Sequence, residues 1–239
     1  MIKGFKGQTV DKHSKICAFA AELLDWGSIN MRDFVWRRTR DPFQILIAEI
    51  LLQRTKAEQV EPVYSRLTEE YSSPEDMAKA IPEDLAKLTR SLGLAYRGPR
   101  LREIAQVIVN RYKGLVPSSE EALLQLPGVG RYVANAVLCF AFGMAVPLVD
   151  TNTLRVTSRV FSRPVTTESH KKKDSWDFMS MIMPKDNARK FNFSILDFAN
   201  LICTAKNPSH EKCPISGICD FYLDPSLSSQ NSNPSGKTN

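Results

Sequence analysis

This chain of 239 residues is poor in the features that build sheets, cross membranes or hold disulfide frameworks. Glycine numbers only 11, and alternating polar–apolar runs are missing. A sheet therefore has neither its turn punctuation nor its period, and an all-α protein is expected. No apolar run approaches the ~20 residues that span a bilayer. The opening Met1-Ile2-Lys3-Gly4-Phe5-Lys6 has no apolar signal core. Five cysteines cannot all pair, and three of them cluster towards the C-terminus. That pattern suits a metal or a cluster in a reducing compartment better than a disulfide framework. A soluble cytoplasmic protein is expected. Positive charge, by contrast, is plentiful: 32 Lys and Arg against 26 Asp and Glu give a net charge of +6 and a pI near 9.1. This suits a polyanionic partner without proving one.

The stretch Leu126-Pro127-Gly128-Val129-Gly130-Arg131-Tyr132-Val133-Ala134 organises the rest. Glu120 to Leu126 reads as one short helix, stopped by Pro127. Val133, Ala136, Val137 and Phe140 recur at helical spacing beyond the glycines. Gly130 lets backbone approach a ligand, and the first N–H groups of the second helix have no intrahelical partner. In a basic protein the matching anion is a DNA phosphate. The alternative is a plain helix-turn-helix packing element. Upstream, Ile16, Phe19, Ala20, Leu23 and Leu24 make an amphipathic helix with Cys17 in or near its core, and Asp25 to Arg40 reads as loop. Asp41-Pro42 caps and opens a helix through Leu52 that is apolar nearly all round, so it should be central and buried. Glu49 is its one charge, either a structural ion pair or a working group. Residues 72–92 hold two short helices entered through Pro74 and Pro82. Gly93 to Arg100 is a basic, aromatic loop in which Arg97 is placed for DNA contact. His170-Lys171-Lys172-Lys173 is expected as a solvated loop, Cys139 as core, and residues 225–239 as a disordered tail.

Asp150 follows the glycine turn by twenty residues, where another helix should begin. A carboxylate there can be a cap and nothing more. Beside a phosphate grip it can instead stabilise a positively charged sugar and orient water.

Leu126-Pro127-Gly128-Val129-Gly130 followed by Val149-Asp150 resembles the helix-hairpin-helix–Gly/Pro–Asp superfamily of DNA glycosylases. Trp36-Arg37, Asp41-Pro42-Phe43 and Glu49-Ile50-Leu51-Leu52-Gln53-Arg54-Thr55 resemble its MutY and endonuclease III-like branch. The likeness covers about residues 30–220. It implies two helical lobes: 40–142, carrying the hairpin, and 13–39 with 143–224, carrying the cysteines. It also implies that one nucleotide is flipped out of double-stranded DNA and its base cut from the sugar. Asp150 is then the catalytic carboxylate, with Glu49 acting on the base or on water. Leu126, Gly128, Val129, Gly130 and Arg131 grip the lesion strand. Arg54, with Gln53, either fills the hole left by the flipped base or contacts phosphate.

Tyr132 departs from the bifunctional members, which place there a lysine that attacks the sugar. It either packs only, or marks a monofunctional enzyme resembling the G/T-mismatch thymine and uracil glycosylases. The sequence runs only a short way past the cysteines, so the 8-oxoguanine-sensing domain of many adenine glycosylases is expected to be missing, which leans the same way. The resemblance thus implies a monomer of base excision repair, associated with the nucleoid, that releases mismatched thymine or uracil opposite guanine. A MutY-type adenine glycosylase and an inactive DNA-binding homologue are the alternatives. The related enzymes hold a [4Fe–4S] cluster with C-x6-C-x2-C-x5-C; here Cys203, His210, Cys213 and Cys219 keep the spacing with one histidine substituted. His210 is the fourth iron ligand, or the set holds zinc, or the cluster is lost.

Overall fold

The structure, a computed structural model, describes residues 11–93, 96–224 and 226. Among these every regular element is helical. The helices are α1 (Lys12–Asn30), α2 (Pro42–Leu52), α3 (Ala57–Glu70), α4 (Pro74–Lys79), α5 (Pro82–Thr89), α6 (Arg97–Tyr112), α7 (Glu120–Leu123), α8 (Arg131–Phe140), α9 (Thr151–Phe161), α10 (Lys173–Ile182), α11 (Ala188–Leu201) and α12 (Asp220–Leu223). The chain divides into two units, Arg32–Leu148 and the stretches up to Met31 and from Val149. The boundaries expected at 40 and 142 thus lie at 31/32 and 148/149.

In Arg32–Leu148, α2 is the central element. Asp41 accepts a hydrogen bond from the backbone N–H of Gln44 at 2.8 Å and Pro42 fixes the first turn. Phe43, Ile45, Leu46, Ile47, Ala48, Ile50 and Leu51 are all buried, which is why a helix with almost no polar face is stable here. Each large side chain contributes about 1.5–3 kcal/mol by leaving water. Helices α3, α6 and α8 pack on α2, and α4 and α5 pack on α6. Gly98 lets α6 meet α5 closely: a Cβ there would lie 2.4 Å from the carbonyl oxygen of Leu85.

The other unit centres on α11, which packs on α1 and α9. Phe19, Phe161, Phe178 and Phe191 form an edge-to-face chain with centroids 5.3–6.1 Å apart. This core overrides local propensity in the segment from Asp25, which was expected to be loop. Helix α1 runs on to Asn30 because Trp26 meets Phe198 edge-on at 5.4 Å and Gly27 crosses α11 at Ser194.

Four other local expectations change. Arg97 starts α6 rather than sitting in a loop. The helix before the glycines ends at Leu123. Cys17 is exposed, on the outward side of α1. The His170 run is a short 3-10 turn whose His170 carbonyl accepts from Trp176 Nε1 at 2.8 Å, tying it to α10. Cys139 is fully buried, as core. The segment expected as a tail lies, Ser226 apart, outside the described residues.

Candidate active site and nucleic-acid interface

The glycine turn joins α7 to α8. Gly128 has φ +74°, a conformation that L side chains rarely adopt, and Val129 N–H closes the bend on the Leu126 carbonyl at 3.1 Å. Leu126 and Val129 are buried, 2% and 7% exposed, so they anchor the turn and leave only backbone to meet a ligand. Gly128 and Gly130 are exposed. Gly130 is the N-cap of α8 and has no side chain to bond the first N–H groups of the helix, which suits them to an anion. Arg131 is exposed beside them and pairs with Glu120 at 2.9 Å. Tyr132, one position further, is half-buried.

A second turn, Gln53-Arg54-Thr55, ends α2. Arg54 is exposed with φ +57°, so its side chain stands at a sharp left-handed bend. Gln53 Nε2 donates to the Gly128 carbonyl at 3.2 Å, so the two turns are joined. Glu49, one helical turn earlier on α2, is 6% exposed. Arg97 does not stand at the surface for DNA contact as expected. It is fully buried, and its guanidinium donates to Thr55 Oγ1 at 2.5 Å and to the Gln53 carbonyl. A charge with its donors turned inward is not available to a phosphate.

In the other unit, Asp150 caps α9. Its Oδ1 accepts from the backbone N–H of Asn152 at 2.9 Å and of Thr153 at 2.7 Å, and Thr153 Oγ1 accepts from the Asp150 N–H in return. Oδ2 accepts from Asn152 Nδ2 at 2.9 Å. Asn152 is itself held: its Oδ1 accepts from Arg155 Nη1 at 2.9 Å. Arg155 is fastened to the end of α11 and the following loop through the carbonyls of Ala199 (2.8 Å) and Cys203 (2.9 Å). The carboxylate is thus both cap and oriented group, with one oxygen devoted to the helix and the other bonded once by an amide.

Cys203, His210, Cys213 and Cys219 line one recess, walled by Ile215 and Tyr222. Arg159 Nη1 donates to Cys203 Sγ at 3.4 Å, and Cys219 Sγ donates to the Arg159 carbonyl at 3.5 Å. Burial pushes the Cys213 thiol up to about 11 and raises that of Cys219. Three thiols and an imidazole line this recess, a donor set of the type that iron–sulfur clusters take, although among the described residues no three such side chains stand together as a formed metal-binding group. His210 packs edge-on to Tyr222 at 4.9 Å.

Residues 47–180 match the model of the HhH-GPD superfamily of base excision DNA repair proteins, and residues 203–219 that of the iron–sulfur binding domain of endonuclease III. The chain belongs to the HhH-GPD superfamily. It is 38% identical over 205 residues to a thymine/uracil-DNA glycosylase of Methanothermobacter thermautotrophicus, covering 85% of this chain and 93% of that one. An endonuclease III of Thermotoga maritima is also 38% identical, over 187 residues, 76% of this chain and 84% of that one. The solved structure of a thermostable thymine-DNA glycosylase superposes with a TM-score of 0.82 at 37% identity, covering 88% of this chain and 98% of that one. This HhH-GPD protein is therefore a base-excision DNA glycosylase with an iron–sulfur binding segment of the endonuclease III type. Overall identity does not choose between relatives of different activity, so the choice falls on particular residues.

The sequence alone did not single out Asn152 and Arg155, which hold the candidate carboxylate of Asp150 in place. A signal was available: Asp150 and Thr153 stand at capping-box spacing, and Arg155 lies i+3 from Asn152, on the same side of a helix.

Proposed function

We propose that this HhH-GPD glycosylase is monofunctional. It binds mismatched double-stranded DNA as a monomer, flips out thymine or uracil opposite guanine, and hydrolyses the N-glycosidic bond without cutting the strand. The observation that carries the reading is Tyr132 at the second position of α8, after the Gly128–Gly130 turn. An enzyme that cleaves the strand through a Schiff base needs an amine there, and a phenol cannot form one. The relative named as a thymine/uracil-DNA glycosylase supports the choice of base.

The carboxylate of Asp150 stabilises the oxocarbenium-like sugar as the base departs and orients the attacking water. The bond from Asn152 fixes where its Oδ2 points. Glu49 acts on the flipped base or the water from its buried place on α2. The backbone N–H groups at the start of α8 grip the lesion strand, and Arg54 enters the gap that flipping leaves. Cys203, Cys213 and Cys219 with His210 would hold a [4Fe–4S] cluster. Bound there, it supplies a structural staple for the loop after α11 rather than chemistry at the sugar.

The test is a duplex panel of G·T, G·U, A·G and A·8-oxoguanine under single-turnover conditions. Base release from G·T and G·U is expected; release from the adenine duplexes alone overturns the assignment. Iron and zinc analysis of the purified protein and its His210→Ala variant tests the ligand set: about four irons per chain are expected, with loss on substitution. Zinc alone, or iron unaffected by His210→Ala, contradicts it.

A further inference from the structure

Among the described residues Arg97 is the largest side chain that is completely buried, and burial draws its pKa down from the usual guanidinium range. Its acceptors are the Thr55 hydroxyl and the carbonyl of Gln53, the C-cap of α2. A cation at a helix C-terminus meets the negative end of the helix dipole. The two acceptors bracket Arg54, a non-glycine residue at φ +57°, and the bend is closed by Thr55 N–H on the Leu52 carbonyl at 3.2 Å. A planar fork suits this task, because its two terminal nitrogens reach both acceptors at once. The same first turn of α6 reaches the glycine turn: a Cβ built at Gly128 would lie 3.3 Å from Arg100 Cδ. Gln53 closes the triangle with its bond to the Gly128 carbonyl. Gly98 fixes where this turn of α6 sits, pressed on the Leu85 backbone.

We infer that Arg97 is a positioning residue for DNA engagement: its guanidinium holds the Gln53–Thr55 turn in the left-handed bend that presents Arg54, and through Gln53 keeps that turn in register with the phosphate-gripping turn at Gly128. The inference rests on the reading that both turns meet DNA. It reassigns Arg97 from a DNA contact to the brace behind two of them. Removing the fork leaves a part-buried carbonyl and hydroxyl without their charged donor, and the bend at Arg54 loses what opposes its relaxation.

The experiment uses the full chain and two readouts. Hydrogen–deuterium exchange follows the peptide covering 52–57, with α5 and α10 as internal references. Binding is measured to a duplex carrying a tetrahydrofuran abasic analogue opposite guanine. Arg97→Met is expected to speed exchange in 52–57 and raise the Kd about ten-fold or more each, the loss of hydrogen bonds to a charged group. Arg97→Lys, a point charge that cannot span both acceptors, falls between. A folded Arg97→Met protein with wild-type exchange in 52–57 overturns the inference, and so does exchange that rises evenly across Arg32–Leu148, the mark of a merely structural role. If Arg97→Met does not fold, Thr55→Val decides by the same readouts: faster exchange and weaker binding, restored by Thr55→Ser, support the brace, and no change overturns it. Arg54→Ala tests the underlying reading separately. Unchanged binding by that variant removes the turn from DNA recognition, while exchange in the Arg97 and Thr55 variants still decides whether Arg97 sets the bend.

Discussion

Replacing Asp150 by asparagine separates its two duties, because the geometry predicts different costs for each. Asparagine caps helices about as well as aspartate, and its one carbonyl oxygen can still accept from the Asn152 and Thr153 N–H groups. The other end of the new amide is an NH2 that faces Asn152 Nδ2, donor against donor. Asn152 cannot relieve this by turning over, since its Oδ1 is held by Arg155. One charge-assisted hydrogen bond is lost at a half-buried site, about 1–2 kcal/mol. For a chain of this size that lowers Tm by roughly 3–6 °C. The chemical cost is larger. A fixed charge facing a developing cation is worth on the order of 10²–10³ in rate when removed. Asp150→Asn should therefore stay folded, bind the G·T or G·U duplex at least as tightly as the wild type, and turn over at least 100-fold more slowly in single-turnover assays. Turnover within about three-fold of wild type removes Asp150 from the mechanism. A Tm drop well beyond 10 °C with a parallel loss of binding means that the carboxylate matters through the fold alone.

Asn152→Ala leaves both backbone bonds to Asp150 but frees Oδ2, so kcat should fall about ten-fold with KM nearly unchanged; equal losses in both would point to binding instead. Gly27→Ala places a Cβ 1.9 Å from Ser194 Oγ and 2.7 Å from its Cβ, forcing α1 off α11. It should cost about 1–3 kcal/mol in denaturant unfolding, and Gly27→Ala with Ser194→Gly should recover part of that. Tyr64 is buried beside Trp36, and burial with help from Asp41 raises its phenol to about 12, above the ~10 of an unfolded tyrosine. The fold therefore favours the neutral phenol. Its contribution is complete below pH ~10 and is lost as pH rises from ~10 towards ~12, roughly 3 kcal/mol in all. Titration near 295 nm should show this tyrosine ionising late, and Tyr64→Phe should flatten the alkaline loss of stability.

Some of this architecture was readable in residue order and some was not. Helix α2 declared itself because capping, proline and an unbroken apolar run agree over one short stretch. The glycine turn and Asp150 were readable because each needs a residue type at a fixed local offset. Arg97 was misread for a physical reason. A lone arginine next to a tyrosine, glycine and proline has the composition of an exposed basic loop, and only the approach of α6 to the end of α2 turns its donors inward. The extension of α1 past Asp25 likewise depends on partners more than 160 residues away, Ser194 and Phe198. The apolar stripe of α1 was readable from its period, and Phe19, Ala20 and Leu23 are buried as it implies; Cys17 was misplaced because position 17 lies off that stripe.

The most direct test of the central claim incubates the wild-type protein with a labelled G·U duplex, with and without sodium borohydride. The account predicts an intact strand at neutral pH that breaks only after hot alkali, and no borohydride-trapped adduct. Tyr132→Lys, which places an amine at the same position of α8, is the variant expected to yield one. Strand scission at neutral pH, or an adduct trapped by the wild-type protein, would contradict the reading that Tyr132 confines this glycosylase to base removal.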